Sequence, residues 1–168
     1  MNKETYLKQA TRAFEQTDTM KKIVDDHHQI VIIGNGGSNA ISSHISQDYT
    51  KQLKKQSFSF SDPSRLTCYI NDYGMENAYR QFISEFVAED NCVVILLSSS
   101  GESMNIVNCA NWCIDNNIPF VSLTGFKPNN ALRALSTFSK QCLLEFHVES
   151  EDYGIVECVH ELLLHSIL

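Results

Sequence analysis

The sequence predicts an α/β protein, a three-layer, doubly wound parallel sheet with helices on both faces. Three observations carry that expectation. Residues 92–97 form an unbroken apolar run with no alternation, as in a parallel strand covered on both sides. The run Val31-Ile32-Ile33 enters a glycine-rich turn, Gly34-Asn35-Gly36-Gly37-Ser38-Asn39, which leaves into a polar helical segment. Strand-like and helix-like stretches then alternate to the end of the chain, a pattern that gathers ligands at the carboxyl ends of the strands.

In order, residues 5–28 read as one amphipathic helix, with Tyr6, Ala10, Ala13, Met20, Ile23 and Val24 near helical spacing. Its apolar stripe needs a covering surface, either its own sheet or a neighbouring subunit. Residues 29–33 are the first strand and 39–50 a helix, closed by the basic stretch 51–55. Residues 58–60 read as a short extended piece before an Asp62-Pro63-Ser64 turn, 66–70 as a second strand, and Asn71-Asp72-Tyr73-Gly74 as a turn. A helix over 75–86 precedes the strand at 92–97. A helix from the serine-rich loop through Ile114, a strand over 118–123, a short helix over 131–138, a strand over 142–148 and a helix over 153–168 complete the chain.

At 168 residues there is room for one domain with a sizeable core, and no linker or repeat divides it. The formal net charge of −7 argues against a nucleic-acid groove and against an anionic membrane surface. The N-terminal segment lacks an apolar signal region and no run reaches transmembrane length, so a cytoplasmic protein is expected. Without a secretion signal, the six cysteines read as small buried hydrophobes rather than disulfide partners.

Two strand-to-helix turns carry the chemistry. The glycines at Gly36 and Gly37 let backbone amides approach an anion at a helix N-terminus, and Ser38 adds a hydroxyl. Asn39 stands where a dinucleotide fingerprint needs its third glycine, and no Lys-Ser/Thr pair follows, so neither the dinucleotide nor the Walker loop is present. The second turn, Ser98-Ser99-Ser100-Gly101-Glu102-Ser103, sets four hydroxyls at one helix start, more than capping requires. His44 and Asp48 share a helix face at i, i+4; they could ligate a divalent ion, act as an acid/base pair, or form a surface ion pair. Glu157, His160, Glu161 and His165 decorate the last helix, either as functional groups or as a solvated face.

Taken in this order, the glycine loop, His44 six residues beyond Ser38, the Asn71–Gly74 tetrad, the serine cluster, Leu123-Thr124-Gly125 and the Glu157, His160, His165 spacing resemble the sugar isomerase (SIS) domain family over nearly the whole chain. Within it the phosphoheptose isomerases are the nearest resemblance. That likeness implies an SIS-type, flavodoxin-like sheet in a single domain over residues 1–168, with residues 1–28 as an oligomer-packing element. It implies a phosphorylated sugar held by Asn35, Gly36, Gly37, Ser38, Asp72, Ser98, Ser99, Ser100 and Ser103. It also implies a divalent metal, zinc first, on His44, Asp48, Glu157 and His165, with Asp48 as catalytic base and His165 as acid.

The implied reaction converts sedoheptulose 7-phosphate to a heptose 7-phosphate through an enediol, in a cytoplasmic homotetramer. Three positions depart from the family pattern: Asp48 for a glutamate, Glu157 for a glutamine, and Gly154 for an aspartate. Glu157 and His165 also lie about 12 Å apart along a helix. The alternatives are a non-catalytic phosphosugar-binding regulator or scaffold, and an isomerase of another sugar phosphate.

Overall fold

The computed structural model describes residues 1–87 and 90–168. Five parallel strands form one sheet: β1 (Gln29–Gly34), β2 (Gln56–Ser59), β3 (Cys92–Ser98), β4 (Phe120–Thr124) and β5 (Cys142–His147). Their order is β2-β1-β3-β4-β5, and the chain changes direction across the sheet between β1 and β3. This is the flavodoxin-like doubly wound arrangement, whose ligand crevice lies at the carboxyl ends of the two strands flanking the reversal. Every residue of β1, β3 and β4 is buried, which accounts for the unbroken apolar run Cys92–Leu97 of β3.

Helices α1 (Lys3–Glu15), α2 (Thr17–Asp26), α3 (Gly36–Leu53) and α8 (Tyr153–His165) border one core, built on Ile30, Ile32, Val93, Ile95 and Leu97. Helices α5 (Met75–Phe86), α6 (Met104–Asp115) and α7 (Ala131–Phe138) cover the other face, with Val31, Ile33, Val94 and Leu96. Alternate residues of β1 and β3 thus feed opposite cores, as the period of two demands.

Two elements differ from the sequence expectation. Residues 66–70 are not a strand but the middle of helix α4 (Pro63–Tyr73). Asp62 is its N-cap, accepting from the backbone N–H of Arg65 at 2.8 Å, Pro63 occupies the first turn, and Gly74 at φ 75° stops it. Caps at both ends, with Leu66, Tyr69 and Ile70 at i, i+3, i+4, outweigh the strand propensity of the segment. The supposed turns at residues 62–64 and 71–74 are therefore this helix's two ends, and β2 forms one edge of the sheet. The N-terminal helix is likewise interrupted at Gln16, and just beyond it Thr17 Oγ1 donates to Ser166 Oγ at 2.9 Å.

All six cysteines are free; Cys92, Cys109 and Cys113 are buried, but Cys68 and Cys158 are exposed. Among the described residues no helix is long and apolar enough to cross a membrane.

Candidate active site

The loops after β1 and β3 meet at the reversal point and enclose a cleft of about 230 Å³. Asn35, Gly36, Gly37 and Ser38 line one side, Ser98, Ser99, Ser100 and Ser103 the other, with Tyr153 and Glu157 from α8. Helix α3 starts one residue after its N-cap Asn35, so the glycines are its first turn and their amides have no intrahelical partner. Gly36 needs its φ of 53° for the turn. A Cβ on Gly34 would come within 2.7 Å of Ser38, so this tight turn admits only glycine.

The serines are arranged as donors. Ser98 Oγ accepts from the backbone N–H of Gly101 at 3.1 Å, and Ser100 Oγ from that of Glu102 at 3.2 Å, leaving each hydroxyl proton to be given elsewhere. Ser99 is only 5% exposed, yet its Oγ has no hydrogen-bond partner, an arrangement that costs energy unless a ligand accepts from it. Ser103 is the N-cap of α6 and makes no side-chain capping bond. Among the described residues no lysine or arginine lines the cleft, so an anion there would be held by neutral hydroxyls, amides and a helix dipole.

Asn35 is fixed by a residue that sequence reasoning missed. Its side-chain amide exchanges two hydrogen bonds with that of buried Asn105, at 2.9 and 2.8 Å, tying the β1 loop to α6 across the reversal point. Nothing in the spacing of Asn105 marks it out. Asp72 lies apart from this assembly, exposed near the end of α4, where it accepts from Asn71 and Cys68 and does not line the cleft.

Helices α3 and α8 pack side by side in the same direction, and the remaining candidates lie along their seam. Glu157 rests on Gly37, where any Cβ would collide with its carboxylate. Further along, Asp48 Oδ2 stands 3.5 Å from Nε2 of both His44 and His165, whose ring centroids are 5.2 Å apart. One donor atom each from His44, Glu161 and His165 lies within 4.8 Å of the others. Two imidazoles and a carboxylate are the donor set of zinc sites, so these residues fit a divalent ion. Glu161 therefore stands beside the histidines, while Glu157, one turn earlier on α8, lines the cleft against Gly37. Burial raises the Glu157 carboxyl above the usual carboxylate range.

The fourth decorated position is a structural pin. His160 is fully buried and its Nε2 donates to the carbonyl of Thr124 at 3.0 Å, leaving Nδ1 without a partner. Burial lowers its pKa to about 4, so the ring is neutral at neutral pH. It fixes α8 to the end of β4, with Gly125 packed against Val156.

The five-stranded parallel sheet, in the order 2-1-3-4-5 with helices on both faces, is an α/β fold like that of the sugar isomerase (SIS) domain. Within that class the chain is similar to the phosphoheptose isomerases. It is 29% identical over 145 residues to the phosphoheptose isomerase of Fusobacterium nucleatum, a match covering 83% of this chain and 71% of the relative. The structure of phosphoheptose isomerase from Neisseria gonorrhoeae superposes with a TM-score of 0.80 at 21% identity, covering 98% of this chain and 88% of that one. The Vibrio vulnificus NanR protein complexed with ManNAc-6P shares the fold at a TM-score of 0.60 and 17% identity, over 96% of this chain and 58% of that one. No family model matches the chain.

Proposed function

We propose that this protein is a phosphosugar aldose–ketose isomerase of the phosphoheptose isomerase kind. Its substrate in this reading is sedoheptulose 7-phosphate, its product a heptose 7-phosphate, and its metal a divalent ion, zinc by donor set. The observation that carries the reading is a juxtaposition: a cleft built of unpartnered donors opens beside a carboxylate held between two imidazoles.

Ser38, Ser98, Ser99, Ser100 and Ser103, with the amides of Gly36 and Gly37, bind the phosphate and so fix the reacting carbons relative to the seam. Asn35, locked by Asn105, presents its amide toward the sugar. Asp48 takes the proton from C1 of the ketose and returns it to C2, and His165 moves the hydroxyl proton. When bound on His44, Glu161 and His165, with Asp48 adjacent, the metal supplies oxyanion stabilisation. The same proposal includes a cytoplasmic homotetramer; self-association is supported by Leu7 and Phe14, apolar side chains of α1 that are 53% and 57% exposed.

The test is an isomerase assay on sedoheptulose 7-phosphate and a panel of ketose phosphates, with and without chelator, after counting bound metal. Chelator-sensitive turnover is the expected result, and the best substrate names the sugar. Phosphosugar binding without turnover on any substrate would overturn the proposal in favour of a binding or regulatory role.

A further inference from the structure

The serine loop is held from behind by the start of α7. Asn130, the N-cap of that helix, is completely buried, and both ends of its side chain are bonded within the fold. Its Oδ1 accepts from the N–H of Arg133 at 2.9 Å, and its Nδ2 donates to the carbonyls of Lys127 at 2.9 Å and Gly125 at 3.4 Å. The other opening amides of α7 point into the serine loop: Ala131 N–H donates to Glu102 Oε1 at 3.2 Å, and Leu132 N–H to the carbonyl of Gly101 at 2.9 Å. Such amides have no partner within their own helix, so the serine loop supplies what the helix start lacks. The fit is tight. Gly101 sits at φ 67°, and a Cβ there would fall on the Asn130 carboxamide. A Cβ on Gly125 would likewise come within 3.2 Å of the Ser99 carbonyl oxygen.

A capping residue needs only a side-chain oxygen, and serine serves as well as asparagine. Asparagine adds N–H groups, and here they reach back to the loop after β4 while the carboxamide backs Gly101. One buried side chain therefore touches two loops: the serine loop, which lines the cleft, and residues 125–128, which do not. We propose that Asn130 is a positioning residue of the anion site. It touches no ligand; it sets the place of the Ser98–Ser103 hydroxyls and amides and couples that loop to residues 125–128. An anion that orders the serine loop suppresses the local openings in which these contacts break, and so steadies the second loop as well. The inference rests on the cleft being an anion site, and it adds to that reading a residue outside the cleft on which affinity depends.

The experiment is amide hydrogen exchange with and without inorganic phosphate, alongside calorimetric titration of phosphate, on the wild type, Asn130→Ser, Gly101→Ala and the double variant. Serine is neutral and keeps the helix cap, but it lacks the N–H groups and leaves space beside Gly101. In the wild type, phosphate should slow exchange at residues 98–103 and also at 125–127. In Asn130→Ser the protection at 125–127 should be lost, and phosphate should bind about tenfold more weakly, the worth of one hydrogen bond to a charged group. Gly101→Ala should weaken phosphate binding alone and cost less once residue 130 is serine, because the clash is gone. Wild-type affinity and protection in Asn130→Ser would reduce Asn130 to a cap and overturn the proposal, as would strict additivity of the two substitutions. A wild type that binds no phosphate overturns the reading of the cleft; the coupling is then judged on the ligand-free protein, where Asn130→Ser should speed exchange in both loops together, and faster exchange confined to α7 overturns it too. Urea denaturation of each variant sets conditions under which all four are folded.

Discussion

The hydroxyl of Tyr49 donates to the backbone carbonyl of Leu164 at 2.8 Å inside the core, joining the residue after Asp48 to the residue before His165. The last carbonyls of a helix have no partner of their own, and α8 ends at His165, so this bond satisfies one of them and holds the helix end. Burial pushes the Tyr49 phenol well above its ordinary range, so it remains a donor throughout the accessible pH range. Tyr49→Phe should cost about 1–3 kcal/mol by leaving a buried carbonyl unpaired. Urea denaturation measures the cost, and metal affinity should fall with it because His165 is loosened. No change in either would mean that apolar packing alone fixes this end.

Ser99→Ala should act with opposite signs on the free and bound protein. Removing a buried hydroxyl that has no partner relieves a penalty of about 1 kcal/mol in the free state. The melting midpoint without ligand should therefore rise, while the increase produced by saturating phosphate should shrink. A parallel fall in both would show that the Ser99 hydroxyl is satisfied in the free protein.

His165→Ala should abolish turnover of the ketose phosphate and leave phosphosugar binding largely intact, since His165 lies along the seam and does not line the cleft. Equilibrium binding and initial rates on the same preparation separate the two. Equal loss of binding would give His165 a structural role.

Stability should fall as pH drops from about 6.5 to about 4, the interval between an unfolded imidazole and His160 in the fold. In that window the unfolded chain takes up a proton that the folded ring refuses, so acid favours unfolding; above it the contribution is constant. Over the full window the loss is on the order of 3 kcal/mol. His147, its pKa lowered by burial and by the nearby Arg133 and Arg12, adds in the same direction. His160→Gln, which keeps a donor for the Thr124 carbonyl, should flatten the pH dependence of the melting midpoint. A slope as steep as that of the wild type would place the acid sensitivity elsewhere.

Strand β3 was the most legible part of the sheet because it is covered on both faces, and there full coverage writes itself as an uninterrupted apolar run. Helix α4 was misread because its short apolar segment fits either period, and the deciding information lay in the Asp62 and Gly74 caps at its two ends. The serine and glycine loops stood out through composition, and both line the cleft. Asn105 and Tyr49 did not, because each acts through one partner, 70 and 115 residues away in the chain. Glu161 was visible only as one of several polar residues on α8; that it faces His44 while Glu157 faces Gly37 follows from how α3 and α8 are set against each other.

That setting fixes a spacing. Gly37 and His44 are seven residues apart on one uninterrupted helix, about 10.5 Å and two turns, and Glu157 and His165 keep pace with them on the other. The interval between glycine turn and imidazoles is thus a count of residues, not a loop conformation. One inserted or deleted residue between Gly37 and His44 would swing His44 about 100° around the helix and out of the seam. Variation that suits this cleft to shorter or longer ligands must therefore fall in the loops around Ser98–Ser103 and Phe126, while the helical interval stays constant.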